Sequence, residues 1–386
     1  MSSHPGSAAR IGGGFDLVAG ARPNFVKIAP LVRAFRAAGL PFRLVHTGQH
    51  YDPLLSDVFF AQLELPPPDV HLGVGGGSHA EQTARILAAY DGVLAAAPPR
   101  ATIVVGDVNS TLACALAAAK RGVPVVHVEA GLRSFDRSMP EEINRVLVDH
   151  LADLLFVTEP SGVVNLRREG VAEERIHLVG NVMIDTLRAL EPLARQAPGP
   201  ERWGLEARGY ALATLHRPGN VDDPAGLARV VAVLEAVAAE LPVLFPVHPR
   251  TRDRLCAHGW QGRLAAHPRL RLVEPLGYLD FLRLMMDAAV VLTDSGGVQE
   301  ETTALGVPCL TLRPNTERPI TVEIGTNRLV PLEPDRVRAE VAAVRAGRGK
   351  RGRVPELWDG RAAERIAAVL IRWREGNAMA GSWAQA

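Results

Sequence analysis

Glu129 stands in PVVHVEAGLRS (124–134), a run that otherwise reads as a buried strand, and Asp107 closes TIVVGD (102–107) in the same manner. A carboxylate in a strand that needs burial on both faces costs several kcal/mol unless it is paired or kept for a purpose. Carboxylates so placed can move a proton or stabilise a developing positive charge. Arg133, four residues after Glu129, is the candidate partner in a purely structural salt bridge, and His127 interrupts the same strand. An Asx-type cap would account for Asp107. Glu141 has an ordinary explanation of its own, because Ser138-Met139-Pro140-Glu141 carries capping-box spacing before the helical stretch EINRVLVDHLADLL.

A second group suits an anion. In AVVLTDSGGVQEETTALG (289–306) a strand ends at Ser295-Gly296-Gly297 and a helix begins. Glycines admit close approach of a phosphate, and the helix end presents unpaired N–H groups. Glu301, about one turn into that helix, is placed to accept hydrogen bonds from ribose hydroxyls. An ordinary Asp/Ser cap explains the same residues equally well. His216 and Arg217 follow the strand ALATL, and Arg22 and Lys27 follow the first strand in GARPNFVK. Solvated loop charge is the competing account for any one of these cations. His248, between Pro246 and Pro249, reads as structural, and Met285-Met286 as core packing.

The elements that must position these residues alternate with a parallel-sheet rhythm. Runs at 15–20, 42–47, 102–107, 124–129, 153–158 and 176–180 are nearly continuous in apolar character, as strands covered on both faces require. After the Pro- and Gly-rich APGPERWGLEARG the rhythm restarts at 210–216, 242–248, 270–275, 289–295, 307–312 and 328–332. The reading is α/β, with a disordered extension at 1–14, a first Rossmann-like lobe at 15–182 and a second at 183–358. A terminal helix at 359–375 closes the second lobe or crosses back to the first, and a disordered tail is expected at 376–386. Ligands of open α/β sheets bind at the carboxyl ends of strands, so a central cleft is the expected site.

Other chemistries are disfavoured. With Lys+Arg 43 against Asp+Glu 42 the formal net charge is +1, which does not suit a nucleic-acid partner. None of the three lysines lies in a GxxxxGK[ST] loop, and LGVGGGSH (72–79) neither follows a convincing strand nor has GxGxxG spacing. Neither DxD nor HExxH occurs, so no metal and no cofactor is expected. The three cysteines form no CxxC, and the chain shows neither a signal-peptide core nor an apolar run long enough for a membrane. A cytoplasmic protein without a membrane partner is expected.

Taken in order, Gly20-Ala21-Arg22-Pro23, Gly106-Asp107, HVEAGLR (127–133), PEEINR (140–145), Gly180-Asn181, His216-Arg217 and DSGGVQEE (294–301) resemble the non-hydrolysing UDP-N-acetylglucosamine 2-epimerases over about residues 15 to 370. The resemblance implies a GT-B fold of two Rossmann-like lobes with a nucleotide sugar between them, in a homodimer. It implies that Arg22, Lys27 and His216 lie near the diphosphate, with Ser295, Gly296 and Gly297 at the helix end and Glu301 on ribose. Phe281 of GYLDF would meet uracil, the backbone near Leu276 would read its edge, and Arg318 would add substrate contacts. Asp107, Glu129 and Glu141, with His216, would carry the sugar chemistry. UDP would leave C1 while a carboxylate takes the C2 proton, giving 2-acetamidoglucal, and re-addition from the other face would give UDP-N-acetylmannosamine. Other outcomes on this fold are glycosyl transfer, hydrolysis to N-acetylmannosamine, and catalytically silent nucleotide-sugar sensing. Gln49-His50-Tyr51-Asp52 lacks the arginine that follows Gln-His in members activated by their own substrate, so activation of that kind is not expected.

Overall fold

The computed structural model describes residues 13–48, 60 and 62–383, without the side chains of 22, 23 and 376–383. The extension expected at 1–14 thus lies almost wholly outside the described residues, as does the Gln49-His50-Tyr51-Asp52 segment. The chain divides into two compact units, one running to Val182 and resuming at Arg361, the other spanning Met183–Gly360.

In the first unit, β1 (Phe15–Ala19), β2 (Phe42–His46), β3 (Val70–His71), β4 (Ala101–Val105), β5 (Val125–Ala130), β6 (Leu154–Val157) and β7 (Ile176–Leu178) form one sheet. Their order is β3-β2-β1-β4-β5-β6-β7, and every pairing is parallel. Strands β1, β4, β5 and β6 are buried along their whole length, which is why they read as unbroken apolar runs rather than alternating ones. β3 was not anticipated, since two residues carry no periodicity. It leads into LGVGGGS, and Ser78 and Glu81 then cap the helix His79–Ala96 reciprocally.

The second unit contains β8 (Ala211–Thr214), β9 (Val243–Pro246), β10 (Leu270–Val273), β11 (Val290–Thr293), β12 (Cys309–Thr311) and β13 (Asn327–Leu329). These are ordered β10-β9-β8-β11-β12-β13, again all parallel. Val230, Val231, Leu234 and Val237 of the helix Pro224–Ala238 close its core against Phe245 and Leu292. Both sheets reverse winding direction between the first and fourth strands of their unit, and such a switch point opens a crevice at the strands' carboxyl ends.

The terminal helix spans Ala362–Trp383 and runs past position 376, where a tail was expected. It belongs to the first unit, packing against the helix Arg22–Ala37, and Arg365 donates to the Val179 carbonyl at 2.9 Å. No helix among the described residues is long and apolar enough to cross a membrane.

Candidate active site

The loop after β1 is held by Asn24, whose Oδ1 accepts from the Ala21 N–H at 3.0 Å while its Nδ2 donates to the Val105 carbonyl at 3.0 Å. The two strands of the switch point are thereby tied at their carboxyl ends. Gly20 has to be glycine here, because a Cβ would lie 2.0 Å from Ser110 Oγ.

Glu129 sits where β5 slips register against β6, and its φ of 74° places a non-glycine residue in the left-handed region. A bulge of this kind re-aims a side chain, and the strain it stores is characteristic of functional positions. The carboxylate forms an ion pair with Lys27, reaching across from the helix Arg22–Ala37, and both residues are buried. Arg133, the partner expected from sequence proximity, is instead taken by Asp149 and Glu169. The distance along the chain is short, but the bulge turns Glu129 toward β4. A Cβ on Gly106 would lie 3.2 Å from Lys27 Nζ and 4.0 Å from Glu129 Oε2, so the missing side chain makes room for the pair.

Asp107 follows Gly106 and keeps 20% of its side chain exposed, against 2% for Glu129. Arg145 forms an ion pair with its carboxylate, and Asn144 donates to its carbonyl at 2.9 Å. Both come from the helix Pro140–Leu151, whose orientation inverts the usual amphipathic pattern. Its buried side holds Glu142, Asn144, Arg145 and Asp149 beside Val148, whereas Ile143 and Leu147 are exposed. Glu142 accepts from the backbone N–H groups of Ser134 and Phe135 at 2.9 and 2.8 Å and pairs with Arg145 at 2.5 Å, which anchors the loop after β5. Glu141 is half-buried and has no hydrogen-bond or ion-pair partner among the described residues. The capping box anticipated for it does not form: Met139 is the cap residue and the Ser138 hydroxyl donates to Asp136. Pro140 occupies the first helical position and moves the cap by one residue.

His127 is wholly buried, with Nδ1 2.6 Å from Asp149 Oδ1 and Nε2 2.9 Å from the Gly106 carbonyl. It therefore positions the Gly106-Asp107 turn and does not face a ligand. Burial alone would raise the Asp149 carboxyl; His127, then Arg133, outweigh it and hold the group below the usual carboxylate range.

In the second unit, buried Asp294 after β11 braces the loop after β8. It accepts from the N–H groups of His216 and Arg217 at 3.1 and 2.9 Å and from Asn220 Nδ2 at 3.0 Å. The His216 ring, 36% exposed, stacks on His248 at 5.2 Å. Burial lowers the His216 pKa more than Asp294 raises it. His248 caps the helix Pro249–Ala257, accepting from Arg250 N–H at 3.2 Å, and Met285 and Met286 are buried in the core, both as the sequence suggests.

Ser295 is the cap residue of the helix Gly296–Leu305, though its side chain makes no capping bond. Arg318 packs against Gly296, where a Cβ would lie 2.5 Å from its guanidinium, and pairs with Glu300 at 2.7 Å and Glu317 at 2.6 Å. Glu317 also pairs with Arg217 and Arg313, at 3.3 and 2.9 Å. Three guanidiniums thus share these two carboxylates behind the helix N-terminus, whose unpaired N–H groups favour negative charge. Glu301 is 5% exposed and accepts from the Tyr278 hydroxyl at 2.7 Å. Among the described residues no group of three or more His, Cys, Asp or Glu could hold a metal ion.

The family described as UDP-N-acetylglucosamine 2-epimerase matches residues 33–371. The chain belongs to this family. It is 40% identical to the UDP-N-acetylglucosamine 2-epimerase of Methanocaldococcus jannaschii, covering 92% of this chain and 98% of that one. A relative from Pseudomonas aeruginosa, UDP-2,3-diacetamido-2,3-dideoxy-D-glucuronate 2-epimerase, is also 40% identical, over 92% of this chain and 98% of its own length. The crystal structure of the M. jannaschii enzyme in complex with UDP-GlcNAc and UDP has a TM-score of 0.85 at 39% identity, covering 93% and 99% of the two chains. The GT-B class read from the sequence is the fold of this epimerase family.

Within each unit the structure gathers most of the anticipated residues at the switch-point loops. Asp107, Glu129 and Lys27 share one such group, His216 lies in the loop after β8, and Ser295, Gly296 and Gly297 form the cap and first turn of the helix after β11. Arg22 opens the helix Arg22–Ala37, but its side chain lies outside the described residues. Leu276 and Phe281 are half-buried around the start of the helix Tyr278–Asp287. Lys27 is engaged with Glu129, and Arg318 is buried in ion pairs under Gly296. Sequence reasoning missed Asn24, Asn144, Arg145 and Asp149 as positioning groups. The available signal was a hydrophilic face in PEEINRVLVDHL, where Glu142, Arg145 and Asp149 recur at helical spacing.

Proposed function

We infer that the protein catalyses reversible C2 epimerisation of UDP-N-acetylglucosamine to UDP-N-acetylmannosamine, by eliminating UDP to 2-acetamidoglucal and adding it back. The observation that carries this reading is the juxtaposition of Asp107 with the bulged Glu129–Lys27 pair at the carboxyl ends of adjacent strands. The C2 proton of the sugar is not adjacent to a carbonyl, so loss of UDP from C1 has to lead. The N–H groups opening the helix Gly296–Leu305, the His216 ring and Arg22 receive the departing diphosphate. Glu129, oriented by Lys27, and the more accessible Asp107 then face the sugar, one opposing oxocarbenium charge and the other taking the C2 proton. Protonation on the opposite face and return of UDP to C1 complete the exchange. Glu141, half-buried and unengaged, is the third acid available. Glu301 holds ribose, Phe281 meets uracil and the Leu276 backbone reads its edge.

Incubation with UDP-N-acetylglucosamine in D2O without an acceptor, followed by NMR, tests the reading. Deuterium at C2 together with a second UDP-linked sugar is expected. Free N-acetylmannosamine would instead mean hydrolysis, and absence of exchange would leave transfer or sensing. The Pseudomonas relative is as similar as the archaeal one. The 2,3-diacetamido glucuronate nucleotide is therefore the second substrate to assay.

A homodimer belongs to the same reading, supported by the inverted helix. Ile143 and Leu147, one turn apart, are 43% and 46% exposed, and nearby Phe135 is 76% exposed. Such a stripe is an association surface for a second copy. Light scattering should give twice the chain mass for the native protein, and the single-chain mass for Ile143→Asp with Leu147→Asp. A cytoplasmic location fits the free state of Cys114, Cys256 and Cys309.

A further inference from the structure

The bond between Tyr278 and Glu301 plays no part in the proton transfers above. Tyr278 is the first residue of the helix Tyr278–Asp287 that follows β10, and Glu301 lies in the helix that follows β11. The hydroxyl donates to Glu301 Oε1 at 2.7 Å, leaving Oε2 without a hydrogen bond among the described residues. A carboxylate at 5% exposure with one neutral donor is under-compensated. Burial pushes Glu301 up to about 7, the Tyr278 bond opposes that rise, and the charge of Glu300 adds to it. Tyr278 faces Glu301 from the neighbouring helix, Glu300 precedes it on its own, and Arg318 is engaged with Glu300. A ligand that brings hydroxyl donors to Oε2 completes this half-filled shell.

We propose that Tyr278 is a positioning residue that fixes Glu301 for the ribose of the nucleotide and so sets discrimination between UDP and 2′-deoxyuridine diphosphate. This rests on the uridine diphosphate reading above. A phenol that holds Oε1 restricts the carboxylate to one orientation, so Oε2 is presented without a further loss of side-chain freedom on binding. The ionised form accepts the ribose hydroxyls, so the preference for UDP is full above about pH 7 and declines as pH falls through that value. Loss of the phenol removes the group that holds the carboxyl down, and the decline then moves to higher pH. Both nucleotides carry the same diphosphate, so their affinity ratio cancels its titration.

Calorimetry of UDP and 2′-deoxyuridine diphosphate from about pH 6 to about pH 9, a range bracketing the carboxyl, tests this on the native protein, Tyr278→Phe and Glu301→Gln. The native protein should prefer UDP by about tenfold or more at high pH, the effect of a hydrogen bond to a charged group. Tyr278→Phe should lose most of that preference at neutral pH, with unchanged affinity for the deoxy nucleotide and an upward-shifted midpoint. Glu301→Gln should lose the preference at every pH. An unaltered ratio and midpoint in Tyr278→Phe would overturn the proposal even if its melting temperature fell, since the bond would then only tie two helices. Equal affinity of the native protein for both nucleotides overturns the proposal alone, whereas failure to bind either overturns the uridine diphosphate reading with it.

Discussion

Asp107→Asn will abolish measurable deuterium exchange at C2 while leaving UDP binding detectable by calorimetry. Removing a group that transfers a proton in the transition state costs typically about 10²–10⁴ in rate. The substitution preserves shape, and the Asn144 bond goes to the Asp107 carbonyl, so the loop remains tied. Arg145 loses its charged partner at Asp107 but retains Glu142 at 2.5 Å, which argues against a collapse of the helix. A variant that exchanges at the native rate would remove Asp107 from the chemistry. One that no longer binds UDP would place it with the nucleotide instead.

Asp149→Ala should be the most damaging change to folding. Asp149 is wholly buried and accepts from Arg133 at 2.7 Å and from the Gly131 N–H at 3.0 Å, besides its 2.6 Å contact with His127. Stripping one member from a buried charged network leaves the others uncompensated, and about 3–5 kcal/mol of stability should be lost in urea unfolding. The Asp149 carboxyl is held below its ordinary value in the folded chain. Its contribution is therefore complete above the unfolded pKa of about 4 and disappears as pH falls through the lower folded value. The variant should accordingly converge on the native protein in stability under strong acid and diverge from it above about pH 4, where the native carboxylate is charged. Equal stability at neutral pH would mean that His127 and Arg133 find other partners.

Much of this architecture is legible in the linear chain. β4, β5, β8 and β11 are covered on both faces and so announce themselves as apolar runs, and the polar residues at or just after their carboxyl ends, Asp107, Glu129, His216 and Asp294, mark the loops there. Burial of an acid in a strand is not sufficient, however. Asp16 in β1 is as buried as Glu129 but satisfied by Arg43 and Tyr90, each at 2.8 Å. The difference is position, because Asp16 lies toward the amino end of its strand and Glu129 toward the carboxyl end. Partners were less legible than sites. Lys27 reaches Glu129 only because parallel strands bring distant segments together, and the bulge that turns Glu129 away from Arg133 is a backbone event with no side-chain signature. Asn24 and Asn144 bind backbone atoms, whose location depends on the completed sheet.

The return of the chain to its first unit bears on the order in which the protein can be made. The helix Arg22–Ala37 leaves the ribosome before the second unit, yet the Ala362–Trp383 helix that packs on it follows the whole of that unit. During translation, the Arg22–Ala37 helix must wait without this partner while the whole of Met183–Gly360 is produced. Premature termination near Gly360 would thus leave the flaw in the older half of the molecule, far along the chain from the missing residues.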